Sequence, residues 1–156
     1  MPSILKKKRI VRCGIMVAVT IIVTLFIFGN SFADYDISHN TSDSVSDIIL
    51  PDKYSDSETV LLIVRKLAHL IEYAVLGIAV MVLVEFNEFD FRKKLYAAAF
   101  FYVLMVAVLD EHIQSFSDRS SSTGDILLDF FGALIGFAIV ITINFIYMKF
   151  KKGKRT

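Results

Sequence analysis

The chain has 156 residues, 55% hydrophobic and 21% charged, with a formal net charge of +1 and one cysteine, Cys13. That is too apolar for an ordinary soluble domain, and it carries no basic field for nucleic acid. A lone cysteine excludes an internal disulfide and a cysteine-based zinc cluster; a single-domain, all-α integral membrane protein remains.

Residues 1–12 form a basic tail with Lys6, Lys7, Lys8, Arg9 and Arg12. The first span, 13–33, is an uncharged run of 21 residues, long enough to cross a hydrocarbon core of about 30 Å as a helix. Its end, Ser31-Phe32-Ala33, also resembles a signal-peptide cleavage site. The run is longer than the usual apolar region of such a peptide, so a retained helix is expected. The connection 34–58 is acidic and rich in Ser, Asp, Asn and Thr, with Pro51. Its aspartates lack the glycine and terminal glutamate of a calcium loop, so it reads as a solvated segment. Asn40-Thr41-Ser42 fits a glycosylation sequon, a pattern common by chance.

The second span, 59–84, is apolar but carries Arg65, Lys66, His69 and Glu72. A short connection, 85–94, holds Arg92, Lys93 and Lys94. The third span, 95–111, has only 15 uncharged residues before Asp110 and Glu111, so its helix must run into them. After the connection 112–125, the fourth span, 126–148, contains the uncharged run Phe130–Met148, followed by a basic tail, 149–156.

Charge asymmetry orients these four transmembrane helices. The two tails and the 85–94 connection hold 13 of the 17 basic residues, whereas 34–58 holds only Lys53 beside seven carboxylates. Both termini are therefore expected in the cytoplasm, with 34–58 and 112–125 outside. In the absence of tryptophan, tyrosines are the expected interface anchors: Tyr35, Tyr54 and Tyr73 outside, Tyr96 and Tyr147 inside.

Ionisable residues inside spans cost about 2.5–3.5 kcal/mol at mid-membrane on insertion scales and mark working sites. Helical spacing puts Lys66, His69 and Tyr73 on one face, with Glu72 beside His69. Asp110 and Gln114 share a face at the end of the third span, and Asp129 lies one turn deeper than Asp125 at the start of the fourth. All of these groups sit at one membrane level. Gly132-x-x-x-Gly136, with Ala133, reads as a helix-packing motif, and phenylalanines such as Phe26, Phe100, Phe101 and Phe137 read as lipid-facing or core filler.

Three segments together resemble the VanZ-like membrane family. They are Arg65-Lys66-x-x-His69-x-x-Glu72-Tyr73-x-x-Leu76-Gly77; Asp110-Glu111-x-x-Gln114 with Phe116 and Arg119; and Asp125 followed by Gly132 and Gly136. The motifs lie in roughly 60–140, within a family-like region taken as 59–148. This chain departs from the family pattern at Asp129, where many relatives are expected to carry asparagine. It also has Ser117-Asp118 before Arg119, not a proline-glycine turn.

The resemblance implies a multi-pass protein of a bacterial plasma membrane, associated with reduced susceptibility to teicoplanin-type glycopeptide antibiotics. It marks Lys66, His69, Glu72, Asp110, Glu111, Gln114, Arg119 and Asp125 as functional positions. In a non-enzymatic reading, Arg65, Lys66 and Arg119 contact the phosphate of an envelope lipid or lipid-linked precursor, while Tyr73, Gln114, Asp125 and Asp129 complete the ligand site. In an enzymatic reading, the candidates are His69 as acid/base, Glu72 orienting it, and Asp110 and Glu111 binding a metal or activating water. In a structural reading, the charges serve only to register helices within a larger complex. No nucleophile elbow, phosphate-cradling glycine loop or HExxH motif is present, which weighs against the enzyme. No metal ligands, cofactor or nucleic-acid partner is assigned.

The topology makes a direct prediction. A cysteine placed at Ser46 reacts with an impermeant thiol reagent in intact cells, and one placed at Asn87 does not; labelling of position 87 from outside overturns the orientation.

Overall fold

The computed structural model describes residues 2–32, 58–86, 92–115 and 122–153. Four helices account for almost all of them: α1 (Pro2–Phe32), α2 (Glu58–Phe86), α3 (Arg92–Gln114) and α4 (Thr123–Gly153). Each contains a stretch long and apolar enough to cross a membrane, so the chain is a multi-pass membrane protein. The shortest, α3, has 23 residues, about 35 Å at an α-helical rise. It can span a 30 Å core only by including its polar last turns. The helices continue beyond the apolar runs because backbone groups near hydrocarbon must be satisfied within the helix.

Side-chain contacts give the order of directions. Ser31 meets Asp110 and Thr24 meets Tyr102, so α1 and α3 run parallel. Lys66 meets Asp125 and Glu85 meets Asn144, so α2 and α4 run parallel. Glu85 also meets Tyr96, near the start of α3, so α2 is antiparallel to α3. The bundle is therefore up-down-up-down.

The α2–α4 pair has the most extensive contact, and glycine allows it. A β-carbon at Gly136 would collide with the Ala74 carbonyl and the Ile78 nitrogen, one at Gly132 with the Leu70 carbonyl, and one at Gly77 with the Ala133 backbone. Backbone thus packs on backbone, as small-residue motifs permit in membranes. Along α2 the buried positions recur as Tyr73, Leu76, Gly77, Val80, Met81 and Val84, a stripe with the spacing of one helix face. Phe137 is buried on α4 and meets Phe100 edge to face, with centroids 5.1 Å apart at 89°. Phe26 and Phe101 are exposed and face lipid.

Helix α1 is peripheral: 11% of an apolar 18-residue stretch of it is buried, against 33% of the corresponding stretch in each other span. Its inward stripe is Thr20, Thr24, Ile27 and Ser31, mostly polar. The threonine hydroxyls donate to the carbonyls four residues back, Thr20 to Met16 at 3.0 Å and Thr24 to Thr20 at 2.9 Å. Thr24 also lies 2.8 Å from the Tyr102 hydroxyl. Hydrogen bonds therefore attach α1 where apolar packing is sparse.

One tyrosine differs from the interface-anchor expectation. Tyr73 is wholly buried in the core, because its helix face turns toward α4, where Gly132 has no β-carbon to press on the Tyr73 Cβ. Tyr96 is half-buried and donates to buried Glu85. Tyr35 and Tyr54 lie outside the described residues.

The glycine contacts predict a graded result. Gly136→Ala destabilises the purified protein by about 1–3 kcal/mol, the usual cost of overpacking, seen as a lower thermal midpoint in detergent. Gly14→Ala, whose new methyl meets nothing within 4 Å, does not lower it.

Candidate functional site

The site lies where the C-terminal ends of α1 and α3 meet the N-terminal ends of α2 and α4. On α2, exposure falls with depth along the face predicted from spacing: the Lys66 side chain is 57% exposed, His69 is 17% exposed and Tyr73 is wholly buried. Asp110, Glu111 and Gln114 are buried in the last turns of α3, and Asp129 is buried one turn into α4. His69 Nδ1 stands 4.0 Å from Asp110 Oδ2 and 4.0 Å from Asp129 Oδ1. Three helices thus converge on one imidazole.

Asp110 is the most constrained member, with none of its surface exposed. Ser31 Oγ, from α1, donates to Oδ1. Gln114 Nε2 donates to Oδ2 at 3.1 Å and lies 3.4 Å from Ser31 Oγ. A buried carboxylate without such partners would be prohibitively costly. Glu72 points to α1, where its Oε1 accepts from Asn30 Nδ2 at 2.8 Å, and its Oε2 is buried without a hydrogen-bond partner. The two carboxylates placed 4.0 Å from His69 are thus Asp110 and Asp129; Glu72 serves the α1 contact.

Glu111 ties α3 to the start of α4. Its Oε1 accepts the Ser122 N–H at 2.5 Å, and Ser122 Oγ in turn accepts the Gly124 N–H at 3.1 Å. Ser122 therefore caps α4, and Asp125 in the first turn favours the positive end of the helix dipole. Lys66 donates to Asp125 Oδ1 at 2.7 Å near the surface. Such a solvated pair contributes about 0–1 kcal/mol and is easily exchanged for another partner.

A cavity of about 320 Å³ opens over these groups, large enough for a small ligand or a headgroup. Arg65, Lys66 and Asp125 line it together with His69, Glu111 and Asp129, and Leu62 and Leu128 supply apolar wall. His69, Asp110 and Asp129 each offer a donor atom close enough for the three to share a cation. Two other cavities, both beside α1, are lined by apolar surface or by the basic start of α1.

Most residues singled out from the sequence gather here: Arg65, Lys66, His69, Asp110, Glu111, Gln114, Asp125 and Asp129 meet at one end, with Tyr73 beneath and Glu72 toward α1. Arg119 and Phe116 lie outside the described residues. Sequence reasoning passed over Asn30 and Ser31. The signal was a polar pair closing an otherwise apolar run, at the same depth as Asp110, and it invited the cleavage-site reading instead. It also passed over Glu85, which is buried at the opposite end and accepts from Tyr96 and Asn144.

A helical bundle with a charged cleft sunk between its helix ends defines a class of polytopic membrane protein that holds polar groups at one membrane face. The particular family follows from the whole chain: the family model described as VanZ/LLP1 matches residues 16–145, and the chain belongs to that family. The match takes in α1 from Met16 onward as well as the motif-bearing helices. Comparison with curated proteins and with solved structures gave no match.

Proposed function

We propose that this protein holds the phosphate-bearing head of an envelope lipid, or of a lipid-linked precursor, at the extracytoplasmic face of a bacterial plasma membrane. By doing so it reduces susceptibility to teicoplanin-type glycopeptides. The observation that carries this reading is the cavity itself, which sets Arg65 and Lys66 beside apolar wall at a helix-end level, together with the carboxylates Glu111, Asp125 and Asp129. Arg65 suits bidentate contact with phosphate oxygens. Lys66 can leave its exposed pairing with Asp125 for the same ligand. Leu62 and Leu128 suit the start of an acyl or prenyl chain. The face assignment rests on the distribution of basic residues, which crowd the opposite end.

A second reading, acid–base chemistry on the same lipid, is favoured by one observation. His69 stands within 4.0 Å of two buried carboxylates, an arrangement suited to moving a proton.

A resistance role has a physical motive in placement, because a lipid-tailed glycopeptide and its lipid-linked target both reside at the boundary where the cavity opens. Expression in a susceptible strain raises the inhibitory concentration of a lipid-tailed glycopeptide more than that of one without a tail. Arg65→Ala reverses the effect at unchanged membrane level. Equal sensitivity to both drugs with and without the gene rules out the resistance role. Mass spectrometry of lipids copurifying with wild type but lost from Arg65→Ala identifies the ligand. Binding retained in His69→Gln with the phenotype lost selects the catalytic reading.

A further inference from the structure

We infer that His69, Asp110 and Asp129 form a binding site for one divalent transition-metal cation, beside the cavity that Glu111 lines. One donor atom from each of the three residues lies within 4.8 Å of the other two. Atoms so spaced are all within about 2.8 Å of a common point (4.8 Å divided by √3), so shifts of several tenths of an ångström bring them to coordination distances of about 2.0–2.2 Å. One imidazole with two carboxylates is a mixed nitrogen–oxygen set, which suits zinc or manganese better than calcium or magnesium.

A second observation points to a ligand at this place. Glu111 is buried and lines the same cavity as His69 and Asp129, yet among the described residues its Oε2 has no hydrogen-bond partner. A buried carboxylate oxygen left unpaired is costly and rare. Glu85, the buried carboxylate at the opposite end, has both oxygens engaged, by Tyr96 and by Asn144. Glu72, at the same end as Glu111, also has an open Oε2, so the unpaired carboxylate oxygens gather at this end of the bundle.

The surroundings match what a cation site requires. Ser31 and Gln114 hold Asp110 by its two oxygens, the outer-partner arrangement that orients metal-binding carboxylates. The cavity is partly open and is lined by His69 and Asp129, which supplies an entry path. Asp110 and Asp129 flank His69 and Glu111 lines the same cavity, while Lys66 is engaged by Asp125 nearer the surface. A divalent cation supplies the opposite charge that such a group needs away from water. Bound there, the cation faces the cavity proposed for the phosphate head, but its binding does not depend on that ligand.

The test uses full-length protein purified through a tag without histidine, stripped with chelator and dialysed separately against Zn²⁺ and Mn²⁺. Elemental analysis of wild type finds about one equivalent of one of these ions per chain, and the same ion raises the thermal midpoint. Asp129→Asn and His69→Ala lose the bound ion and the midpoint rise, and Ser31→Ala weakens binding by about 10–100-fold. Glu85→Gln, remote from the site, binds as wild type does; this and the near-isosteric Asp129→Asn separate loss of a ligand from loss of the fold. Wild type with neither bound ion nor midpoint rise overturns the inference, as does Asp129→Asn that binds like wild type. Metal bound without copurifying lipid leaves the cation site standing and overturns the lipid reading; lipid without metal does the reverse.

Discussion

A carboxyl with no exposed surface, set near the end of an apolar helix, is the constraint around which this bundle is arranged. Asp110 cannot be left in that position without partners. Its partners come from two helices: Gln114 from its own helix, one turn on, and Ser31 from α1. The second of these is what a peripheral helix needs. With so little of its span buried, α1 has few apolar contacts to lose, and its Ser31, Thr24 and Asn30 bonds supply specificity where packing is thin. Lipid tails are as apolar as leucine, so hydrogen bonds and close backbone packing, not hydrophobic burial, decide how such helices associate.

The glycines of α4 act on the same site from the other side. Aspartate is a short side chain, and Asp129 comes within 4.0 Å of His69 because α2 and α4 touch backbone to backbone at Gly132 and Gly136. Larger residues there would separate the two helices and withdraw one of the two carboxylates from the imidazole. Packing and chemistry are thus coupled along a single pair of helices. Glu111 extends the coupling to the α4 cap through Ser122, so the end of α3 also fixes where α4 begins.

Much of this was legible in the sequence, and for physical reasons. Hydrocarbon thickness forces long apolar runs, so four spans could be counted from the order of charges alone. Intramembrane ionisable residues are expensive enough to be conspicuous, so Lys66, His69, Asp110 and Asp129 could be grouped by depth before any helix was placed. Pairing was harder to read. Helical spacing put Glu72 next to His69, but whether a neighbour on one helix is a partner depends on what the adjoining helix offers, and Asn30 of α1 meets Glu72. Serine, threonine and asparagine cost little in an apolar run, so Ser31 and Asn30 did not stand out as site residues until Asp110 lay opposite. Glu85 sat at the edge of a charged connection in the linear sequence, and only the fold turns it inward between Tyr96 and Asn144.

The dependence of the bundle on Asp110 can be measured without knowing the ligand. Thermal unfolding of wild type, Ser31→Ala, Asp110→Asn and the double variant in one detergent forms a double-mutant cycle. A contact that ties α1 to α3 gives a coupling energy of about 0.5–3 kcal/mol, with the double variant less impaired than the two single losses combined. Losses that add within about 0.5 kcal/mol would mean that Ser31 and Asp110 act separately, contradicting the arrangement around a shared buried carboxyl.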